Sequence, residues 1–329
     1  MRKIKISVIG TSWITEAFLS AVVLNKGFIL DAVLSRTRER GNDFAAKNGL
    51  TRTFTLLGDL CDSDTDCVYV ASPNLLHYEQ CKALLLSGKH IICEKPISVS
   101  LKEYSELVNI AQNNSLIFIE AIMYMHTPSR TALRQAVTKI GIIYSAHFDY
   151  SQLSSKYRAL LQGKNPNIFN PSLKTGSLND LGVYCVYPAL DLFSYPEKIT
   201  AKHHRISTGA DGCGSSLFEY TDKLVTITYS KVGQSRGVSQ IIGDKGTITI
   251  ESISQLTGIS LFDNKGRKTI ISRDMTKTQL MGYEAQSFYN FITNPDKNNE
   301  RLLECVKQAE NVVRAMEEMR AGYSISISQ

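Results

Sequence analysis

The stretch Ile4-Lys5-Ile6-Ser7-Val8-Ile9-Gly10-Thr11-Ser12-Trp13-Ile14-Thr15 decides the fold. Its apolar run has the length of a buried strand and stops at Gly10. Beyond it, Ile14, Phe18, Ala21 and Val22 recur at helical spacing. Asn25-Lys26-Gly27 closes that helix, glycine being suited to a left-handed cap. Strand, tight turn and helix in that order are the opening of a βαβ unit.

The pattern repeats outward from there. Phe28 to Leu34 reads as a second strand, and a polar helix follows from about Arg38 to Lys47. Cys67 to Ala71 is a buried strand ended by Ser72-Pro73-Asn74, with a helix over Leu75–Leu86 capped by Ser87-Gly88. His90 to Cys93, a helix over Leu101–Gln112, and a strand over Leu116–Glu120 complete the series. Short apolar strands alternating with helices predict an α/β domain with a doubly wound parallel sheet over residues 1–122.

The second domain, residues 123–329, reads differently. Helices are expected near Thr127–Lys139 and over Leu178–Phe193, separated by an Asn-, Pro- and Gly-rich stretch from Asn165 to Gly176. Strands dominate from about 199 to 273, with turns at Thr221-Asp222-Lys223 and Gly243-Asp244-Lys245-Gly246. Two helices, Tyr283–Ile292 and about Asn299–Arg320, end the chain. The expectation is an α+β domain with a mostly antiparallel, open sheet.

Composition bounds what such a chain does. With 329 residues, two domains of roughly 150 residues fit. Apolar residues make up 43% and charged residues 21%, which excludes a disordered or fibrous chain. No apolar run reaches the ~18 residues of a membrane span, and the N-terminus has no signal-peptide pattern. The net charge of +6 lies wholly after residue 125, since residues 1–125 carry 13 basic and 13 acidic groups. No run of five like charges exists, which argues against a nucleic-acid partner. The cysteine count is odd, at 7, with no C-x-x-C pair, so free thiols in the cytoplasm are expected. Metal-site spacing is absent, and the adjacent His203 and His204 would point to opposite faces of a strand.

Several short segments carry chemistry. The loop Gly10-Thr11-Ser12-Trp13-Ile14 sits where the dinucleotide fingerprint G-x-G-x-x-G/A belongs, ahead of a helix N-terminus that can hold a pyrophosphate. Only Gly10 is kept; Ser12 and Thr15 replace the other small positions. At the end of the second strand, Ser35-Arg36-Thr37-Arg38 offers a hydroxyl and a guanidinium where NAD-binding folds place a carboxylate. That favours the 2′-phosphate of NADP over NAD. Asp31 lies too early in the strand to serve the ribose.

Two further segments are more specific. One runs Val70-Ala71-Ser72-Pro73-Asn74-Leu75-Leu76-His77 and on to Gly88-Lys89-His90-Ile91-Ile92-Cys93-Glu94-Lys95-Pro96. The other is Asp180-Leu181-Gly182-Val183-Tyr184, about 85 residues on. Together they resemble the Gfo/Idh/MocA oxidoreductases, which show P-N-x-x-H, then E-K-P, then D-x-G-x-H or D-x-G-x-Y. With Tyr at 184 and at 187, the chain resembles the tyrosine-type members, such as the dimeric dihydrodiol and glucose–fructose enzymes.

The resemblance implies roles. Gly10 and its loop match the pyrophosphate site, and Ser35 and Arg36 the adenosine-ribose site. Ser72, Pro73, Asn74 and His77 match the edge of the cofactor cleft. Glu94 and Lys95 match the E-K-P segment, whose lysine reaches cofactor and substrate. Asp180 and Tyr184 match the substrate-side pair of the second domain, which is expected to close over the cofactor. Hydride transfer to a carbonyl leaves an alkoxide that needs a proton donor. A phenol with an ordinary pKa near 10 is a poor one until a nearby ammonium lowers it. The expected function is therefore NAD(P)-dependent hydride transfer on a sugar, polyol or diol-type alcohol or its carbonyl form. Tyr184 is the acid/base, Lys95 its partner, and Asp180 orients the substrate or Lys95. A non-catalytic, nucleotide-binding regulatory protein of the same fold is the alternative. A homodimer through the second domain's sheet is expected, because Val225, Ile227 and Tyr229 alternate with Leu224, Thr226 and Thr228 and helices suffice for one face.

Overall fold

The computed structural model describes residues 3–272 and 274–326. The chain forms two compact units, Met1–His126 with Thr276–Glu310, and Thr127–Met275 with Asn311–Gln329.

In the first unit, β1 (Ile4–Ile9), α1 (Trp13–Val22), β2 (Phe28–Leu34), α2 (Arg38–Asn48), β3 (Arg52–Phe54) and α3 (Leu57–Cys61) form the first half. The second half is β4 (Cys67–Val70), α4 (Asn74–Leu86), β5 (His90–Glu94), α5 (Leu101–Asn113), β6 (Phe118–Ala121) and the short α6 (Met123–His126). Six strands pair in the order β3-β2-β1-β4-β5-β6, all parallel. The order reverses at β1, so the crevice at the carboxyl ends of β1 and β4 is the topological switch point where such sheets bind ligands. Burial on both faces is why β1, β4 and β5 read as apolar runs: Ile4, Ile6, Val8, Val68, Tyr69, Val70, Ile91 and Ile92 are fully buried.

The second unit begins with α7 (Pro128–Val137), β7 (Ile143–Ser151), α8 (Tyr157–Leu161) and α9 (Val183–Phe193). Strands β8 (Lys198–Arg205), β9 (Asp211–Glu219), β10 (Leu224–Ser230), β11 (Ser239–Gly243), β12 (Gly246–Ser252), β13 (Thr257–Asp263) and β14 (Lys268–Ile270) follow. With a late strand, Tyr323–Ser326, they form a nine-stranded sheet in the order β14-β13-β12-β11-β7-β10-β9-β8 and then that last strand. Strand β7 was not anticipated. It sits at the centre, antiparallel to β11 but parallel to β10. One sheet face is apolar and closed: Phe148, Phe218, Val225, Ile227, Tyr229, Ile241, Ile248 and Ile250 are fully buried. The expected alternation in β10 holds, with Leu224 on the opposite face and 49% exposed. His203 and His204 diverge as expected. His203 is buried against the Tyr229 hydroxyl at 2.9 Å and the Met319 carbonyl at 2.6 Å, while His204 faces the other side.

The division expected after residue 122 is incomplete. The final helices are α10 (Lys277–Thr293) and α11 (Pro295–Arg320), and residues 276–310 return to the first unit. Leu280, Met281, Ala285 and Phe288 form a buried face on α10, which packs along α1. The Tyr289 ring meets Phe28 edge-on at 5.4 Å, and Gln286 accepts a hydrogen bond from Asn25 at 3.1 Å. The helix starts six residues before the expected Tyr283 because Thr276 and Gln279 form a reciprocal capping box.

Candidate active site

Gly10 has φ +104°, and a Cβ there would stand 2.6 Å from the Ala71 carbonyl oxygen. Only glycine fits where the ends of β1 and β4 come this close. Ser12, at the second small position, has φ −93° and ψ 167°, extended backbone that any residue adopts. Its departure from glycine therefore carries no backbone strain. Ser12 is the N-cap residue of α1, yet its side chain caps nothing. Its hydroxyl instead lies 3.4 Å from that of Thr15, which is fully buried. The first amides of α1 are left to an outside acceptor, the arrangement that suits a pyrophosphate.

The end of β2 has the chemistry of a phosphate site. The Ser35 hydroxyl is buried and has no hydrogen-bond partner. Arg36 beside it is exposed, and no ion pair or hydrogen bond engages its guanidinium among the described residues. Arg38 is committed to the Thr53 carbonyl at 2.6 Å. Asp31 is removed from the site altogether, gripped by Arg52 through Nε at 3.0 Å and a second nitrogen at 2.5 Å. An orphan hydroxyl beside an unpaired guanidinium, with Asp31 taken up by Arg52, fits a dinucleotide that carries a 2′-phosphate. Sequence reasoning missed Arg40, whose Nε donates to the Thr11 hydroxyl at 2.7 Å and ties α2 to the glycine loop. Its place just past Ser35-Arg36 was the available signal.

At the end of β5 three groups hold the Glu94-Lys95-Pro96 turn. Glu94 accepts from the Tyr69 hydroxyl at 2.5 Å and from the Lys95 amide at 3.2 Å. Tyr69 in turn stacks on Phe18 of α1, with ring centroids 3.8 Å apart. Glu120 of β6, buried, accepts from the Ile97 amide at 2.8 Å. His77 lies buried rather than lining a cleft edge, its ring nitrogens 3.0 Å from the Pro96 carbonyl and 2.9 Å from that of Ser72. It clamps the β4 and β5 loops together. The Ser72 hydroxyl bonds Gln80 at 2.6 Å, while Pro73 and Asn74 start α4. Lys95 is thus presented by a turn fixed from three sides.

Burial holds the Glu94 carboxyl above its usual range, opposed by the Lys95 charge and the Tyr69 hydroxyl. Burial also drives Glu284 of α10 well up, reinforced by the charges of Glu94 and Glu120. Lys277 of α10, which sequence reasoning missed, has its ammonium 4.0 Å above the Trp13 ring.

In the second unit, the helix expected over 178–193 opens with a π-helical turn, Leu178–Gly182, before α9. Asp211 explains the start: it accepts from the Ser177 hydroxyl and the Leu178 amide, both at 2.7 Å. Gly176 is required there, because a Cβ would fall 1.9 Å from Asp211 Oδ1. Pro188 inside α9 has no N–H for the Tyr184 carbonyl. π-Turns of this kind concentrate at functional sites.

The Tyr184 ring meets Tyr150 of β7 edge-on at 5.5 Å. Tyr187, by contrast, is fully buried. Asp180 is ion-paired and hydrogen-bonded to Lys231 at the end of β10. Lys231 is itself buried, its ammonium 6.0 Å from the Phe169 ring. It was missed because a lysine closing an alternating strand carries no local mark. So Asp180 and Tyr184, four residues apart, stand on one helical segment with a buried cation against the carboxylate.

Comparison with known proteins fits this geometry. Residues 4–122 match the oxidoreductase family with an NAD-binding Rossmann fold, and residues 131–249 match that family's C-terminal domain. The chain is 35% identical over 324 residues to scyllo-inositol 2-dehydrogenase (NADP(+)) IolU of Bacillus subtilis, covering 98% of each. It is 27% identical over 229 residues to the human trans-1,2-dihydrobenzene-1,2-diol dehydrogenase, covering 67% of this chain and 65% of the other. The solved structure of KijD10, a 3-ketoreductase of Actinomadura kijaniata in complex with NADP and TDP-benzene, shares the fold at a TM-score of 0.85 and 18% identity, covering 99% and 100% of the two chains. With both domains matched in order and the glycine turn, E-K-P turn and D-x-G-x-Y helix in place, the chain belongs to the Gfo/Idh/MocA family of oxidoreductases.

Proposed function

We propose that the protein is an NADP-dependent dehydrogenase or reductase acting on a cyclic polyol, sugar or diol-type hydroxyl or its ketone. The observation that carries the cofactor choice is the end of β2, where the unpartnered Ser35 hydroxyl adjoins Arg36, which makes no ion pair among the described residues, and Asp31 is held by Arg52. The substrate class follows the full-length similarity to an NADP(+)-linked inositol dehydrogenase.

A bound nicotinamide supplies the hydride. The Gly10–Ile14 turn, Ser35, Arg36 and the loops at Ser72–Asn74 and Glu94–Lys95 hold the cofactor, with His77 as a positioning residue. Tyr184 holds the proton that moves to or from the substrate oxygen, and the Lys95 ammonium favours its phenolate form. Asp180 takes a substrate hydroxyl. Its pairing with Lys231 fixes the carboxylate in a partly buried place.

Tyr184→Phe tests the assignment. It removes the proton donor with little change of shape, so turnover is expected to fall by ~10²–10⁴ while cofactor affinity survives. The assay is nicotinamide absorbance with inositols, aldoses and diols. Wild-type turnover by the Phe variant would transfer the proton role to another group. No turnover by the native protein on any of these classes, with tight cofactor binding, would favour the regulatory reading. The retained Lys95, Asp180 and Tyr184 speak against that outcome.

Two further readings accompany this one. The second sheet's open face carries Leu224, Ile242 and Ile270, 49%, 42% and 72% exposed, among Thr and Ser side chains. We assign a homodimer to that face. The 7 cysteines are all free thiols, which supports a cytoplasmic location.

A further inference from the structure

Lys277 is the first residue of α10, set by the Thr276–Gln279 capping box. The packing of α10 along α1 brings its ammonium 4.0 Å above the ring of Trp13, the first residue of α1. Lys277 is half-buried, and among the described residues it makes no ion pair and no hydrogen bond. Its close contact is the indole face. A half-buried cation that rests on a π-face and makes no hydrogen bond among the described residues can still take an acceptor. Its contact with the ring is weaker than a charge-assisted hydrogen bond to a phosphate oxygen.

Its surroundings indicate which anion it awaits. Trp13 begins the helix whose first amides carry no cap. Burial lowers the Lys277 pKa, Glu94 opposes that shift, and Lys95 and Glu284 also act on it. The Trp13 contact itself sets the ammonium over the first residue of α1, three residues past Gly10 of the glycine turn. A phosphate group seated on the α1 amides would relieve the desolvated cation and accept its hydrogen bonds.

We infer that Lys277 is a cofactor-binding residue whose ammonium leaves the Trp13 ring for the pyrophosphate of the bound dinucleotide. The inference rests on the reading of the first unit as a cofactor site. It adds a cation from a helix that returns late in the chain to complete the nucleotide cleft. Trp13 then serves as the resting place of that cation and, as the chain's 1 tryptophan, reports on it.

The test compares wild type, Lys277→Met and Lys277→Arg by calorimetric titration with NADPH and with 2′-phospho-ADP-ribose, which keeps the pyrophosphate but lacks nicotinamide. Lys277→Met is expected to weaken both ligands about tenfold or more, and Lys277→Arg to restore most of the loss. The affinity of the Met variant should also depend less steeply on salt. Trp13 emission should change on binding in wild type and already be shifted in unliganded Lys277→Met, with thermal melting unchanged. Wild-type affinities in Lys277→Met would overturn the inference alone. A loss confined to NADPH would also overturn it, moving the contact to the nicotinamide side. Failure of the native protein to bind either ligand would overturn the cofactor reading, and this inference with it.

Discussion

The Asp180–Lys231 pair gives the sharpest energetic prediction. Its side chains are 18% and 8% exposed, so both charges are largely out of water. Lys231→Met keeps the apolar stem and removes the ammonium. Breaking a buried pair by deleting one partner costs about 3–5 kcal/mol, chiefly the penalty of the stranded charge. Asp180 retains some solvent contact, which moves the expectation to the low end, about 3 kcal/mol. For a unit of this size that corresponds to a Tm lower by roughly 6–12 °C. Asp180→Asn removes the opposing charge instead and should cost a similar amount. The double variant removes both charges and should recover most of the loss, because uncharged replacement of a buried pair is often nearly neutral. Calorimetric melting and urea unfolding of the four proteins measure the coupling, expected at about 5 kcal/mol, the two single losses less the small cost of the double variant. Additive losses, with a coupling below ~0.5 kcal/mol, would refute the claim that the two charges depend on each other.

Other predictions follow from the same physics. Arg36→Ala should weaken NADP by ~1.5–3 kcal/mol and leave NAD nearly unchanged, since only the 2′-phosphate needs the guanidinium; equal losses in parallel titrations would remove Arg36 from the site. Glu284 has its folded-state pKa raised well above the usual 4.5 by burial, so its contribution to stability is full below that range and is lost as pH rises. Glu284→Gln stays neutral throughout, and its Tm advantage over wild type should grow from pH 5 to pH 8; parallel Tm curves would contradict this. If the open sheet face forms the dimer, light scattering at micromolar concentration should give twice 36.6 kDa, and Leu224→Glu with Ile242→Glu should halve it. A native mass of one chain, unchanged by cofactor, would dismiss the dimer.

The parallel sheet of the first unit was legible because its information is local. Buried strands such as Ile4–Ile9 and Cys67–Val70 must be apolar along their whole length, and the helices between them repeat at their own period. The motif residues were legible too, because turns such as Gly10–Ser12 and Glu94–Pro96 are short and their neighbours are fixed by the chain. What they do locally was not. That His77 clamps two loops, that Glu94 answers Tyr69, and that Ser35 is left without a partner depend on strands meeting side by side.

The rest came from contacts between distant residues. Asp180 and Lys231 are 51 positions apart, and Asn25 and Gln286 are 261 apart. No periodicity links such pairs, because side-chain spacing encodes which face is buried and not what it is buried against. The same limit hid the central strand β7. Its pairing is parallel with β10 and antiparallel with β11, and that choice is made by the sheet as a whole. It also hid the return of α10, whose start was written in Thr276 and Gln279 but whose destination was not. Only packing against α1 carries Lys277 to the indole of Trp13, 264 residues earlier in the chain, since a cation and a ring that far apart are neighbours only after both helices have found the same groove.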